Sequence, residues 1–515
     1  MDGFDVHAEG QDALGLRAIA SRAEVAPHLG RRLVIGVEDG VGVQDIFAGV
    51  EAVYVVLPSK GAPDGALAAT AELLTREATE LALELGAPVF LEPGASDARP
   101  RLELRVDPAL AVPTLTLDRE ADVLVAGGAD LDGAVEALSL LRTLRCTGQL
   151  HHEARPAVSV DEAIERLERE VAWTYPAFGL RGIDWLQLCG QFRGRVDPVD
   201  PLPGLQRWIA RLGDAHTRVR ATDPVGQLAY TARVVDRAVR FMHVPADSPA
   251  AQAGVRTGDA LLDVDVQELW ARTGAPEHLR PWLVGRIALA GPHGQPRSYR
   301  VQRADGTATT FSDTPGTASH EPPVSAVARD HGTGYLKIDS WQPGTADQID
   351  DALHQLRACD RLLVDLRGNV GGSLVEAASF RDRFIDRPTT LGTIRFSTGD
   401  GQLSPPAPIR GHPAERTRWH KRTRFLTDAL TYSASEDAIL GLRQLDHIDT
   451  AGARSGGGSG RARTIRLLDS IDLHVSTAMT YDHDGQCIEG AGIRVDVPLD
   501  LPPEPAAWNI ADHHW

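Results

Sequence analysis

Three short segments of this 515-residue chain carry residue types suited to chemistry. The first is TRFLTDALTYSASEDAILGL (423–442), an extended run that ends at Tyr432-Ser433-Ala434-Ser435-Glu436 and passes into a helical pattern with Ala438, Ile439 and Leu442 on its apolar side. A serine at such a junction exposes its hydroxyl beside the amides of a helix N-terminus, a setting in which it can act as a nucleophile. Read alone, the segment favours a helix cap, with Ser433 or Ser435 capping and Glu436 closing a capping box.

The second segment is GYLKIDSW (334–341), followed by a helix and then RLLVDLRGNVGGSL (361–374), a buried apolar strand that runs into Arg-Gly-Asn-x-Gly-Gly. Glycines at a strand-to-helix turn let backbone N–H groups converge on an anion or a developing oxyanion, although a tight turn with no ligand has the same composition. The third is ARLGDAHTRVR (210–220), in which His216 follows a helix end and precedes a β-type run. A lone histidine is more often structural than catalytic, so only the combination gives it weight.

The elements that must position these residues can be read from periodicity. From Val160 to about Leu212 the spacing is helical, with Ile164, Leu167, Val171, Leu186, Leu205, Trp208, Ile209 and Leu212 at amphipathic intervals, and Ser159 or Asp161 can cap the start. Residues 226–315 switch to short strands separated by Gly, Pro and Asp turns, 316–323 look like a linker, and alternating strands and helices resume until about 505. Residues 1 to 150 alternate strands (31–37, 51–57, 87–93, 101–106, 121–127) with helix-like stretches (Asp64 to Leu85, Leu131 to Leu144), an α/β unit that could pack against, cap or dimerise the rest. The expected layout is α/β and multidomain: an α/β domain at 1–150, a helical segment at 156–224, a β domain at 225–315 and a second α/β core at 324–505.

Composition narrows the classes of function. With 53 basic and 71 acidic residues the formal charge is −18, a field that repels phosphate backbones and anionic lipid, so neither nucleic acid nor a membrane is the expected partner. Hydrophobic residues make up 42% of the chain, with no apolar run of membrane-spanning length. The four cysteines, Cys146, Cys189, Cys359 and Cys487, form no CxxC pair, and the segment MDGFDVHAEGQ has no basic stretch leading into an apolar one. These features favour the cytoplasm and give no disulfide framework or metal knuckle. The chain has three lysines, Lys60, Lys337 and Lys421, so a lysine base would have few candidates.

Together the three segments resemble the serine peptidase family that contains the carboxy-terminal processing proteases and the tricorn protease core, over about residues 156–505. DLRGNVGG (365–372) and SASE (433–436) are close to its glycine turn and nucleophile motifs. VPADSPAAQAGVRTGDALLDVD (244–265) looks like a PDZ signature loop, and DGQCIEGAGIRVDVPLD (484–500) like the closing segment, with Arg494-Val495 in place of the usual proline. The resemblance implies a PDZ-like domain at 225–315 and a crotonase-like peptidase core. One branch of the family uses a lysine about two dozen residues after the nucleophile, but AGARSGGGSGRAR (451–463) has glycine or serine there. The tricorn branch takes its base from an aspartate-x-histidine-threonine segment, which DAHT (214–217) matches.

Carried over residue by residue, the resemblance makes Ser433 the nucleophile, His216 its base, and the N–H groups of Ala434 and of Gly371 or Gly372 the oxyanion donors. Glu489 would orient or polarise His216, directly or through water, because the relay serine that precedes the histidine in the tricorn core is Ala215 here. The expected activity is metal-independent, cofactor-free hydrolysis of short peptides or peptide ends through an acyl-enzyme, with a homo-oligomer allowed. The competing readings are a non-catalytic binding protein, as in the retinoid-binding modules of this fold, and a hydrolase or acyl-transfer enzyme for one specialised peptide. Peptide-end binding by the PDZ-like region stands at even odds with a packing role, since 225–234 show no clear carboxylate loop.

Overall fold

The computed structural model describes the strands within the first 153 residues, and then residues 157–499 apart from 317–322 and a few single positions. In the first part a six-stranded sheet has the order Ala8–Glu9, Thr114–Asp118, Val123–Gly128, Arg101–Val106, Ala52–Val56, Val89–Phe90. Its neighbours are parallel except for the antiparallel pair Thr114–Asp118 and Val123–Gly128. A three-stranded antiparallel sheet joins Leu16–Ile19, Arg32–Val37 and Gln149–Glu153. The helix expected over 64–85 lies outside the described residues; of the one expected over 131–144 only Ala134 and Ala137 are described, both helical and buried, and residues 317–322 of the expected linker 316–323 and the tail beyond 499 also lie outside.

The helical segment begins with α1 (Val160–Thr174), where Ser159 Oγ accepts the Glu162 N–H and Glu162 returns a carboxylate to the Val158 N–H. The buried positions of α1 are the expected ones, Ile164, Leu167 and Val171. Helices α2 (Trp185–Phe192) and α3 (Pro201–Ile209) add a chain of ring contacts that runs from Tyr175 through Phe178, Trp185 and Trp208 to Phe192. A short helical turn closes at Gly213, whose φ of 67° is the left-handed conformation that glycine adopts at low cost. The chain then passes through Asp214–Thr217 into β1 (Arg218–Ala221).

An antiparallel five-stranded sheet follows, in which β2 (Thr231–Val235), β3 (Ala238–His243), β4 (Ala260–Leu261), β5 (Arg297–Gln302) and β6 (Ala308–Asp313) lie in chain order. Its edge strand β2 faces α4 (Arg280–Leu289), and their backbones touch: a Cβ at Gly285 would lie 2.1 Å from the Ala232 carbonyl oxygen.

The site-bearing unit is a second six-stranded sheet, ordered β7 (Val324–Ala328), β8 (Thr333–Ile338), β9 (Arg361–Asp365), β10 (Arg422–Thr427), β11 (Ile448–Gly452) and β12 (Val497–Pro498). All pairs except β7 with β8 are parallel, and β8 to β10 are buried almost throughout, as parallel strands covered on both faces must be. Trp341, Phe380, Phe384, Phe425 and Ile439 fill the core around them. Because β9 and β10 are adjacent and parallel, the turns that follow them emerge side by side, which is where open α/β sheets carry their sites. The turn after β9 holds Gly371 and Gly372, and the turn after β10 holds Ser433.

Candidate active site

Ser433 stands between the turn after β10 and α5 (Ala434–Ile439), with φ 59° and ψ −122°. A residue with a side chain adopts a positive φ at a cost of about 1–3 kcal/mol, and such strain is found where a nucleophile is thrust out of a strand-to-helix turn. Its N–H is held by the Gly458 carbonyl and by Glu436 Oε2. Ser435, the alternative, is fully buried: its Oγ accepts the Trp341 indole N–H at 2.8 Å and donates to the Asn369 carbonyl at 3.0 Å. The two serines of the motif therefore divide the roles, Ser435 bracing the core and Ser433 presenting its hydroxyl.

That hydroxyl lies 2.9 Å from His216 Nε2. The histidine is fixed from two sides. Asp214, buried behind it, accepts the His216 N–H at 2.8 Å, the Thr217 hydroxyl at 2.7 Å and the Ser476 hydroxyl at 2.6 Å. Strand β1 pairs antiparallel with a strand at Ile471–Val475, placing Arg218 opposite His474 and tying the histidine loop to the carboxy-terminal part of the core. Part of the imidazole surface stays open, yet its surroundings are dense enough that lost hydration dominates. Its pKa is drawn down to about 4 by that burial, with Asp214 opposing and Arg218 and Arg461 reinforcing. Asp214 is held below the ordinary carboxylate range: burial alone would raise it, but His216, Arg181 and its hydroxyl donors outweigh that. At neutral pH the imidazole is uncharged and can accept a proton.

The glycine turn meets the serine at close range, since a Cβ on Gly371 would fall 2.8 Å from Ser433 Cβ and 3.2 Å from the Ala434 nitrogen. The Gly371 N–H donates to Asn369 Oδ1 at 3.0 Å, whereas the N–H groups of Gly372 and Ala434 have no hydrogen-bond partner among the described residues. Two unpaired donors next to a hydroxyl and its base can stabilise negative charge on a carbonyl oxygen attacked by that hydroxyl.

Glu489 does not sit on His216. Its Oε1 accepts from Arg181 Nη2 at 2.5 Å, and the other imidazole nitrogen, Nδ1, meets the Tyr432 hydroxyl at 2.8 Å. The expectation that Glu489 orients His216, directly or through water, meets no direct contact: Arg181 holds Glu489 Oε1 and a phenol stands at Nδ1. Burial, then the charge of Asp214, push the Glu489 carboxyl well above the usual range, with Arg181 pulling the other way. Tyr432 and Arg181 both escaped the sequence reading. An aromatic residue closing an apolar strand reads as core, and one arginine among many carries no signal.

The position where a lysine base would fall is closed. Glu436 Oε1 accepts the Ser455 hydroxyl and the Gly457 N–H, and its Oε2 the Gly458 N–H, so the 455–458 loop is drawn onto the serine turn. A Cβ at Gly458 would lie 2.2 Å from Tyr432 Oη. Lys337 and Lys421 donate to backbone carbonyls of Arg367 and of Arg357 and Cys359, away from Ser433. Among the described residues no group of three His, Cys, Asp or Glu side chains could hold a metal ion, and no helix is long and apolar enough to cross a membrane.

Residues 332–499, the stretch that contains the glycine turn, the serine turn and Glu489, match the model of peptidase family S41. The chain resembles the S41 peptidases. Among curated relatives of the S41-like chain are the carboxy-terminal processing protease CtpA of Bacillus subtilis, 25% identical over 262 residues (50% of this chain, 52% of that protein), and a carboxy-terminal-processing protease of Bartonella bacilliformis, 24% identical over 284 residues (50% and 57%). The chain thus spans about half the length of the curated relatives it matches. Among solved structures, mature CPAF complexed with lactacystin superimposes with a TM-score of 0.52 at 15% identity, over 68% of this chain and 96% of that one, a likeness of fold. The mixed α/β architecture is similar to that of S41 peptidase structures.

Proposed function

We propose that the chain is a serine peptidase of the tricorn-like branch, hydrolysing short peptides or peptide ends through an acyl-enzyme. The observation that carries the reading is the 2.9 Å contact of Ser433 Oγ with His216 Nε2 at a strained turn flanked by unpaired N–H groups. Ser433 attacks the substrate carbonyl carbon while its proton passes to His216 Nε2. The resulting oxyanion is held by the N–H groups of Ala434 and Gly372, with Gly371 shaping the turn. His216 then protonates the leaving amine, and a water activated by the same imidazole releases the acid and restores Ser433. Glu489 acts at one remove, through Arg181.

The layout that goes with this activity is an α/β domain at 1–150, the helical segment at 156–224 that delivers His216, a PDZ-like domain at 225–315 and a crotonase-like peptidase core at 324–505. The PDZ-like domain serves as a wall of the cleft. A peptide added to the edge of β2 would have to lie between β2 and α4, and the Gly285 contact leaves no room for it. Meanwhile Leu279, Trp282 and Leu283 of the α4 region pack with Ala215, Leu430, Tyr432 and Val370 beside the serine.

Labelling with a fluorophosphonate tests the activity: wild type should react at one serine, Ser433→Ala and His216→Ala should not, and an unreactive wild type would leave a binding protein. Hydrogen exchange of Ser433→Ala with a peptide bearing a free carboxy terminus should protect the serine turn and leave β2 unchanged. Protection of β2 would return peptide-end binding to the PDZ-like domain.

A further inference from the structure

We propose that Tyr432 is the positioning residue of His216, its hydroxyl accepting the Nδ1 proton so that Nε2 is left free to take the proton of Ser433. The inference rests on the serine-peptidase reading of Ser433 and His216 and says how that pair is kept in working order.

A neutral imidazole carries one proton, and it can act as base toward Ser433 only if that proton sits on Nδ1. Something must therefore accept from Nδ1. Asp214 is not available, since its oxygens take the His216 backbone N–H and the hydroxyls of Thr217 and Ser476. Ala215 has no hydroxyl, Glu489 Oε1 accepts from Arg181, and among the described residues no hydrogen bond joins Glu489 to His216. The group at Nδ1 is Tyr432 Oη, 2.8 Å away.

The phenol is built to stay there. Its ring stacks on the imidazole with centroids 4.6 Å apart and planes at 24°, and the residue is buried. Gly456 and Gly458 line the ring so closely that a Cβ would come within 2.6 Å of Tyr432 Cδ2 at the first and 2.2 Å of Oη at the second. The Tyr432 N–H donates to the Asn369 carbonyl, which ties the residue to the glycine turn.

The direction of the bond is the proposed part: Tyr432 Oη and His216 Nδ1 can each donate, and only the Nδ1–H tautomer leaves Nε2 a base. Asp214, Glu489 and Glu436 all act on the phenol, and burial together with these carboxylates keeps it protonated far above neutral pH. With the phenolic oxygen accepting, the imidazole is the Nδ1–H tautomer and Nε2 turns its lone pair to Ser433. Because Tyr432 directly precedes Ser433, the turn that strains the nucleophile also sets the base.

The test is Tyr432→Phe, which keeps the ring and removes the hydroxyl, read by steady-state kinetics and by 15N NMR of histidine-labelled protein, with His216→Ala beside it. Wild type should show His216 protonated on Nδ1. The Phe variant should lose that single tautomer, with kcat falling at least about tenfold, up to the ~10⁴-fold that a wrong tautomer costs a triad, and KM nearly unchanged. A wild-type His216 protonated on Nε2 overturns the proposal. So does a Phe variant with wild-type kcat and tautomer while His216→Ala is inactive, an outcome that leaves the serine-peptidase reading intact. An active His216→Ala removes the underlying reading itself.

Discussion

Arg181 donates to Glu489 at 2.5 Å across 308 positions of sequence, joining the helical segment to the closing segment of the core behind the candidate site. Glu489 is buried and Arg181 largely so, with Tyr175 and Asp214 as electrostatic neighbours, and among the described residues Glu489 Oε2 has no hydrogen-bond partner. Removing one member of a buried pair leaves an uncompensated charge, which typically costs about 3–5 kcal/mol. Arg181→Met and Glu489→Gln should therefore each lower the melting temperature, while Glu489→Gln should cost less activity than loss of Ser433 or His216. Thermal melts and hydrolysis rates of both variants check this. Equal damage from Glu489→Gln and His216→Ala would place Glu489 in the catalytic unit after all.

Ser433→Ala should abolish hydrolysis, a loss on the order of 10⁴–10⁶ in rate, with the fold nearly unchanged. Ser435→Ala should do the reverse. It leaves the buried Trp341 N–H without its acceptor, a penalty of about 1–3 kcal/mol, yet keeps the nucleophile. Rates and melting temperatures measured on the two variants separate the roles, and an active Ser433→Ala with an inactive Ser435→Ala would move the nucleophile by two residues.

His216→Ala should be about as damaging as Ser433→Ala, and the double variant scarcely worse than either, because members of one catalytic unit are not additive when lost together. A double variant whose loss equals the product of the single losses would show that the two residues act independently.

The pH dependence should be displaced toward acid. With His216 drawn down to about 4 by burial, the base stays competent well below the 6.5 of an ordinary histidine, and the acid limb of kcat/KM should fall near pH 4. The same shift affects stability with a definite sign. Between 6.5 and about 4 the unfolded histidine binds more protons than the folded one, so this group makes the fold less stable as pH falls through that window and has no such effect above it. Rate profiles and melts from pH 3.5 to 8 test both, and an acid limb near 6.5 would show an imidazole in ordinary water.

Hydrolysis should survive excess EDTA, since the proposed nucleophile, base and oxyanion donors need no Lewis acid. Loss of activity on chelation, with recovery on adding zinc or manganese, would replace the mechanism proposed above.

What the sequence determined by itself was local. The apolar strands ending in Gly371-Gly372 and in Ser433, the helix end before His216 and the amphipathic face of α1 all follow from patterns within twenty residues, where periodicity and turn chemistry act directly. The placement of Ser433 against His216 came from motif order across the chain, and the adjacent parallel strands β9 and β10 supply its physical basis. What only the tertiary structure decided was the choice of partners at distances that no local pattern encodes. Glu489 meets Arg181 rather than His216, Tyr432 meets Nδ1, Ser435 turns inward to Trp341, and α4 lies flush on β2 at Gly285. In each case several residues of suitable chemistry compete for one buried space, and steric fit together with the cost of leaving a polar group unpaired picks the winner.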